Sequence, residues 1–321
     1  MKKTLISTSA LVSFASTVPV LADVDPLPQL PPVVAYETPA AGGEFIICTG
    51  GVKGAYFRVG GQIAGIIEAA ALDPELEITV ADASPLPGGG TAGCLDKLAK
   101  GEVDAAIIQS DGRALLKQIG PDLASTIDMA GPVLTEEVIT ICSRKVEEED
   151  FGDVAQRSGS VIAVGGGEQS GTNIMLNVIA SLDGGYKRPD YVYKKSLTEA
   201  VKEVADGDAD CAVAVMDINA QEVADISRDY GDQVRLIGAW DSNFRSLEFR
   251  DEQVYGWRAI PEDTAGIKEL LDWNGKGKLW SPEVVTETAI VVYREDLSDN
   301  YAELLKKAVA QVAKLKTDVQ D

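Results

Sequence analysis

From Glu44 onward, short apolar runs alternate with stretches in which apolar residues recur every three or four positions. Phe45-Ile46-Ile47-Cys48 ends in Thr49-Gly50-Gly51, and Ile63, Ile66, Ile67 and Ala70 follow at helical spacing. That pattern predicts strand, glycine turn and helix. A second strand, Leu76 to Ala81, leads through Gly88-Gly89-Gly90 into a helix carrying Leu95 and Leu98, which Gly101 stops before a strand from Ala105 to Ile108. The unit then recurs. Val161-Ile162-Ala163-Val164 runs into Gly165-Gly166-Gly167 and a helix with Ile174, Val178 and Ile179; Tyr191 to Tyr193 is strand-like, and a further helix and strand follow.

Over one stretch the recurrence keeps an offset of 106, with Leu95, Leu98, Gly101, Asp104 and Ala106 mapping onto Val201, Val204, Gly207, Asp210 and Ala212. Two copies of one β-α-β-α-β unit predict a bilobal α/β fold: two mixed sheets with helices on both faces, a cleft between them and two hinge crossovers. Lobe 1 is expected at residues 44–134 with 283–321, and lobe 2 at residues 135–282. The second lobe opens with a strand from Glu137 to Ser143 after a Gly131-Pro132 turn and closes near Val234 to Trp240. A strand from Thr288 to Tyr293 and a last helix from Asn300 to about Lys316 return to lobe 1. One crossover is expected near Pro132 to Glu136 and the return crossover within 255–287.

The start of the chain carries a leader pattern: Lys2 and Lys3, an apolar stretch from Leu5 to Val20 broken by Ser, Thr and Pro19, and Val20-Leu21-Ala22 before Asp23. Residues 1–22 are therefore expected to be a signal peptide directing the rest to the periplasm. Residues 23–43, with Pro26, Pro28, Pro31, Pro32 and Pro39, read as an extended tether. The first cysteine is Cys48, so no lipid anchor is expected at the cleavage point, and no later segment has transmembrane length. With 51 acidic against 29 basic residues the net charge is −22, which repels nucleic acid and anionic membrane surfaces. The absence of histidine removes zinc sites and His-based triads, and no cofactor is expected. Four cysteines without a Cys-x-x-Cys pair read as disulfides in an oxidising compartment. Pairing Cys48 with Cys94 and Cys142 with Cys211 keeps each bridge inside one lobe.

Ligands of open parallel sheets sit beyond the carboxyl ends of the strands. Those ends are Thr49 to Tyr56, Gln109 to Asp111, Gly165 to Asn173 and Met216-Asp217. Thr49, Gly50 and Gly54 belong to the first turn; Tyr56 is expected to wall a pocket and Phe57 to join the core. Lys53 and Arg58 are cations within reach of a carboxylate. Gln109 can donate and accept, which suits an α-amino or amide group, and Ser110 adjoins it. Asp111 either pairs with a ligand ammonium or caps the helix that begins near Gly112. Ser170, Gly171, Thr172 and Asn173 open a helix whose hydroxyls and unpaired N–H groups favour an anion, with an ordinary N-cap as the alternative. Met216 closes the set. The dinucleotide pattern Gly88-Gly89-Gly90-Thr91-Ala92-Gly93 follows the second strand rather than the first and is set aside. The run Asp206 to Asp210 lacks EF-hand spacing and reads as a solvated turn.

Four blocks in order carry a family resemblance: Thr49-Gly50-Gly51-Val52-Lys53-Gly54-Ala55-Tyr56-Phe57-Arg58-Val59-Gly60-Gly61, then Gly88-Gly89-Gly90-Thr91, then Asp104 to Asp111, then Gly165-Gly166-Gly167-Glu168-Gln169-Ser170-Gly171-Thr172. Together they resemble the TRAP-associated extracytoplasmic immunogenic (TAXI) solute receptors over roughly Phe45 to Val215, with a weaker echo at Thr288 to Leu305. Arg58 replaces the usual proline, Gln169 a usual glycine, and Cys94 a polar residue. The resemblance implies a type II periplasmic binding fold and, as partner, an ion-driven TRAP-type permease of small and large membrane subunits. Joined to the cleft chemistry, it leads to the expectation of a non-enzymatic receptor for a small carboxylate-bearing solute: a dicarboxylate, 2-oxo acid or amino acid. The rival readings are a receptor for an ATP-driven importer or a sensor on the same fold. A lyase or isomerase using Asp111 or Asp217 with Tyr56 is disfavoured, because no paired-carboxylate constellation can be read in the sequence.

Overall fold

The computed structural model describes residues 44–52, 54–70, 77–82, 90–113, 125–168, 170–239, 241, 244, 247–249, 252–264, 266–271, 273, 274, 278, 279 and 282–320. Outside these lie the expected signal peptide and tether, Lys53, Gly88, Gly89, Gln169 and Trp240. The first unit is β1 (Glu44–Thr49), α1 (Ala55–Ala70), β2 (Glu77–Asp82), α2 (Thr91–Ala99) and β3 (Ala105–Gln109), followed by the long β4 (Ile127–Ser143). Then come α3 (Phe151–Gln156), β5 (Val161–Gly165), α4 (Gly171–Leu182), β6 (Asp190–Lys194), α5 (Leu197–Asp206), β7 (Cys211–Met216), α6 (Gln221–Tyr230) and β8 (Val234–Ile237). Short strands β9 (Glu248–Phe249) and β10 (Glu252–Gln253) pair with each other, as do β12 (Trp273–Asn274) and β13 (Lys278–Leu279); between the pairs lies β11 (Tyr255–Ala259). The chain ends with β14 (Glu283–Arg294) and α7 (Asp299–Gln320).

Ten strands form one sheet in the order β2-β1-β3-β14-β4-β7-β5-β6, with β11 on β14 and β8 on β4. Outward from the central pair, each side repeats third, first and second strand of its unit, parallel among themselves and antiparallel to the central strand. The two sides are thus copies of one α/β unit about the central pair, and the internal repeat reaches down to single hydrogen bonds. Ile46 N donates to Asp104 Oδ2 at 2.9 Å across 58 residues, and Val161 N to Asp210 Oδ2 at 2.8 Å across 49 residues. The matched aspartates thus hold the same strand pair in each lobe, although the first unit carries a longer insertion. Gly101 and Gly207, just past α2 and α5, both have positive φ, 69° and 86°, which glycine adopts without steric cost.

Apolar faces explain the layering. In lobe 1, Ile63 and Ile67 of α1 and Leu305 and Val309 of α7 cover one face of the sheet on Ile47, Ile107 and Val291, while Leu95 and Leu98 of α2 cover the other. In lobe 2, Ile174 and Ile179 of α4 pack on one face, and Val201 and Val204 of α5 with Ile226 of α6 on the opposite one. The disulfides join Cys48 to Cys94 and Cys142 to Cys211, the pairing expected from the sequence, with Cα separations of 5.4 and 3.9 Å.

Two strands do more than the sequence pattern indicates. β4 pairs with β14 from Ile127 to Thr135, then with β7 from Glu137. β14 pairs with β11 up to Glu287, then with β3 from Ala289. The crossovers are therefore continuous strands, and they fuse the two expected sheets into one. Gly131-Pro132 reads as a turn in the sequence but lies within β4, because register shifts beside Ile290 and Val291 accommodate a residue without an N–H.

Candidate binding site between the lobes

β4 and β14 change partners at one level of the sheet, its waist, and acidic residues lie along it. Continuing the pairings Ala289 with Gln109, Thr288 with Thr135 and Glu137 with Met216 sets Asp111, Glu287, Glu136 and Asp217 in one row across neighbouring strands. Three of them are almost wholly buried: Asp111 is 0%, Glu287 1% and Glu136 7% exposed. Isolated carboxylates are not tolerated at such positions, so protons and donors must gather there. Tyr56 Oη donates to Glu136 Oε2 at 2.6 Å and Tyr255 Oη to Asp111 Oδ2 at 2.8 Å, while Asp111 N donates to Glu287 Oε1 at 3.0 Å.

Burial pushes the Glu136 carboxyl up to about 8; the hydrogen bond from Tyr56 opposes the shift, and the charges of Glu137, Asp217 and Asp111 add to it. Burial also raises Asp111, against hydrogen bonds from Glu287 and Tyr255. Glu287 is held well above the usual carboxylate range by burial first and then by the Asp111 charge. Two buried carboxyls side by side disfavour a second negative charge. Burial and the neighbouring carboxylates likewise raise the Tyr56 and Tyr255 hydroxyls, which remain donors. On the other side of β4, Glu137 accepts from Ile218 N at 2.9 Å and pairs with Arg258 Nη2 at 2.5 Å.

Several residues singled out in the sequence meet here. Gln109, 2% exposed, lies on the first residue of α4, where a Cβ on Gly171 would overlap its amide oxygen. Ser110 Oγ donates to Val254 O at 3.3 Å, so the end of β3 touches the second lobe at three consecutive residues, Gln109, Ser110 and Asp111. Other candidates have structural duties. Ser170 Oγ donates to Gly167 O at 2.8 Å and accepts from Asn173 N at 3.3 Å, the N-cap alternative. Thr172, buried at 3%, accepts from Val215 N at 3.0 Å and so ties α4 to β7. Asn173 donates to Glu168 O and accepts from Tyr193 Oη. Thr49 Oγ1 lies within hydrogen-bonding distance of the carbonyls of Gly50 and Ala81, and Gly54 N donates to Gly51 O. Arg58 is exposed, Gly50 and Met216 are half-buried, and Phe57 is half-buried rather than part of the core because the inward face of α1 runs through Val59, Ile63 and Ile67. Instead it is the ring of Tyr56 that packs against that core.

Sequence reasoning missed Glu136, Glu287 and Tyr255 as site residues. The available signal was a charged residue inside a β-branched run, as in Val284-Val285-Thr286-Glu287-Thr288-Ala289-Ile290. It also missed the carboxyl pair, which needs residues 176 apart. Among the described residues no group of three or more His, Cys, Asp or Glu side chains is placed to hold a metal, and no helix is long and apolar enough to cross a membrane.

Among solved structures, a mutant of ArgBP from T. maritima is similar at 12% identity and TM-score 0.48, over 86% of this chain and 93% of that one. AbpA of Streptococcus pneumoniae, an amino acid ABC transporter substrate-binding protein bound to L-arginine, is similar at 10% identity and TM-score 0.48, over 85% and 90%. A histidine kinase sensor domain with similarity to periplasmic binding proteins follows at 14% and TM-score 0.47, over 85% and 92%. None of the curated proteins matches the chain. The sequence model of the NMT1-like family matches residues 47–271, well over half of the chain, and the protein belongs to the NMT1-like family.

Proposed function

We propose that the protein is a periplasmic solute receptor of the TAXI type, exported by a signal peptide at 1–22, which captures a small carboxylate-bearing molecule by lobe closure and delivers it to a TRAP-type permease. The observation that carries this reading is the contact of Gln109, at the end of β3, with Gly171, at the start of α4. The carboxyl end of β3 in one lobe faces the turn between β5 and α4 in the other, where such folds place their ligands. Lobe 1 (44–134 with 283–321) and lobe 2 (135–282) would turn about the partner changes at Glu136-Glu137 and Glu287-Thr288. Strands that are continuous through the waist suit a hinge, because a small twist per residue moves the lobes without breaking either core. The TAXI assignment rests on the four signature blocks, which include the carboxyl ends of β1, β3 and β5. The solute carboxylate is assigned to the first turn of α4, whose backbone N–H groups and dipole favour an anion.

Small-angle scattering of the purified mature protein, with and without a solute found by thermal-shift screening of dicarboxylates, 2-oxo acids and amino acids, tests the reading. Compaction on binding is expected; tight binding with no compaction contradicts capture by closure. Uptake by membranes carrying a TRAP-type permease, dependent on added receptor and absent with ATP-driven importers, tests the partner. The Asp111–Glu287 pair is the one feature that favours an acid/base enzyme, and it lacks a nucleophile; turnover of any bound solute would revive that reading.

A further inference from the structure

We propose that the hinge is operated by protons: with the lobes in contact, the acidic row at the waist carries fewer negative charges than it does once the lobes part, so rising pH opens the receptor and falling pH closes it. The proposal rests on the receptor reading above and adds a control to it. Its starting point is the identity of the pivots. β4 leaves β14 at Thr135 and meets β7 at Glu137, while β14 leaves β11 at Glu287 and meets β4 at Thr288. A pivot needs no charge, yet the turning points are Glu136 and Glu287, and both are buried. Two tyrosine hydrogen bonds cross from lobe to lobe beside them. Tyr56 of lobe 1 donates to Glu136 at the start of lobe 2, and Tyr255 of lobe 2 donates to Asp111 of lobe 1. Ser110 Oγ donates to Val254 O alongside. Turning the lobes apart separates these pairs and brings water to the carboxyls they cover.

What faces the pivots is acidic. Glu136 meets Tyr56 from α1, Glu287 from β14, Asp111 from the end of β3, Asp217 from the end of β7 and Glu137 from its own strand. Neighbouring strands set successive members of the row about 5 Å apart. The cations of the region are placed elsewhere. Arg258 of β11 pairs with Glu137, Arg113 lies on the sulfur of Met129, Lys306 of α7 lies over the ring of Tyr293, and Arg58 of α1 is exposed. Carboxyls crowded together in a dry setting hold protons, and burial raises Glu136, Asp111 and Glu287 alike, Glu136 to about 8. Hydration in the parted arrangement returns them toward the ordinary carboxylate range. A group raised only in the closed arrangement favours closure at low pH, and that contribution is lost as pH rises through its closed-state value. For one proton, the ratio of closed to open molecules falls by up to about tenfold per pH unit between about 4.5 and about 8.

The test is small-angle scattering of the purified mature protein without solute, from about pH 5 to about pH 9, with circular dichroism on the same samples. The radius of gyration is expected to rise with pH while the dichroism stays constant. Glu136→Gln and Glu287→Gln are neutral at every pH and should each hold the compact form at least about one pH unit further than wild type. The double variant should stay compact throughout; if it does not fold, the single variants carry the test. A radius independent of pH, an expansion that coincides with loss of dichroism, or the same expansion in wild type and variants overturns the proposal. So does an expansion abolished at about 1 M salt, where repulsion between surface charges is screened and a buried row is screened much less. Compaction at pH 7 on adding a solute from the panel of amino acids, 2-oxo acids and dicarboxylates upholds the receptor reading, whatever the pH series shows. A solute that binds tightly without compaction sinks that reading, and the pH series alone then decides the hinge.

Discussion

Glu136 makes a defined prediction about stability and pH. Its carboxyl is raised from 4.5 to about 8 in the folded protein, chiefly by burial. Between those values the native state holds a proton that the unfolded chain has lost, so the native state binds more protons and stability must fall as pH rises from about 4.5 to about 8. For one group shifted this far, the loss accumulated by pH 7 is about 3 kcal/mol relative to acid, approached at up to about 1.4 kcal/mol per pH unit. Glu136→Gln abolishes the ionisation while leaving the Tyr56 hydroxyl an amide oxygen to donate to. Asp111 and Glu287 are raised too and remain in both proteins, so the difference between variant and wild type isolates Glu136. Urea denaturation followed by circular dichroism at pH 5, 6, 7 and 8 should show the variant gaining on wild type as pH rises, by a few kcal/mol at the upper end. Parallel stability profiles for the two proteins would mean that Glu136 is not protonated in the native state, and would refute the burial argument.

Gly171→Ala should push the Gln109 amide off the start of α4 and weaken closure on solute, read as a loss of compaction measured by scattering. Ser170→Ala should lower stability by about 1 kcal/mol through loss of the α4 cap, visible in the melting temperature of the unliganded protein. Opening the disulfides removes constraints on loops of 46 and 69 residues, each worth about 4 kcal/mol in the chain-entropy account, so reduced protein should denature at clearly lower urea than oxidised protein. An unchanged midpoint would contradict the pairing.

What the sequence determined by itself is what depends on neighbours in the chain. Period-2 and period-3.6 apolar patterns placed β1, α1, α2, β3 and their counterparts in lobe 2, and the offset between Asp104 and Asp210 exposed the repeat because both aspartates answer the same strand amide. Confinement of each bridge to one lobe was enough to choose the disulfides. Gln109, Asp111 and Gly171 could be picked out as candidates because ligands of such sheets sit beyond strand carboxyl ends whatever the side chains are. Glu136, Glu287 and Tyr255 were not, since nothing local separates two glutamates from the other acidic residues, 51 in all, of this chain. Ser170 and Thr172 read as ligand groups, yet their hydroxyls are used within the fold, a choice made by which backbone amides α4 meets when it docks on β7. Tertiary structure alone decided the acidic row. It exists only because β4 and β14 run unbroken through the waist, and their antiparallel register brings residues 111, 136, 217 and 287 side by side, with all but Asp217 buried.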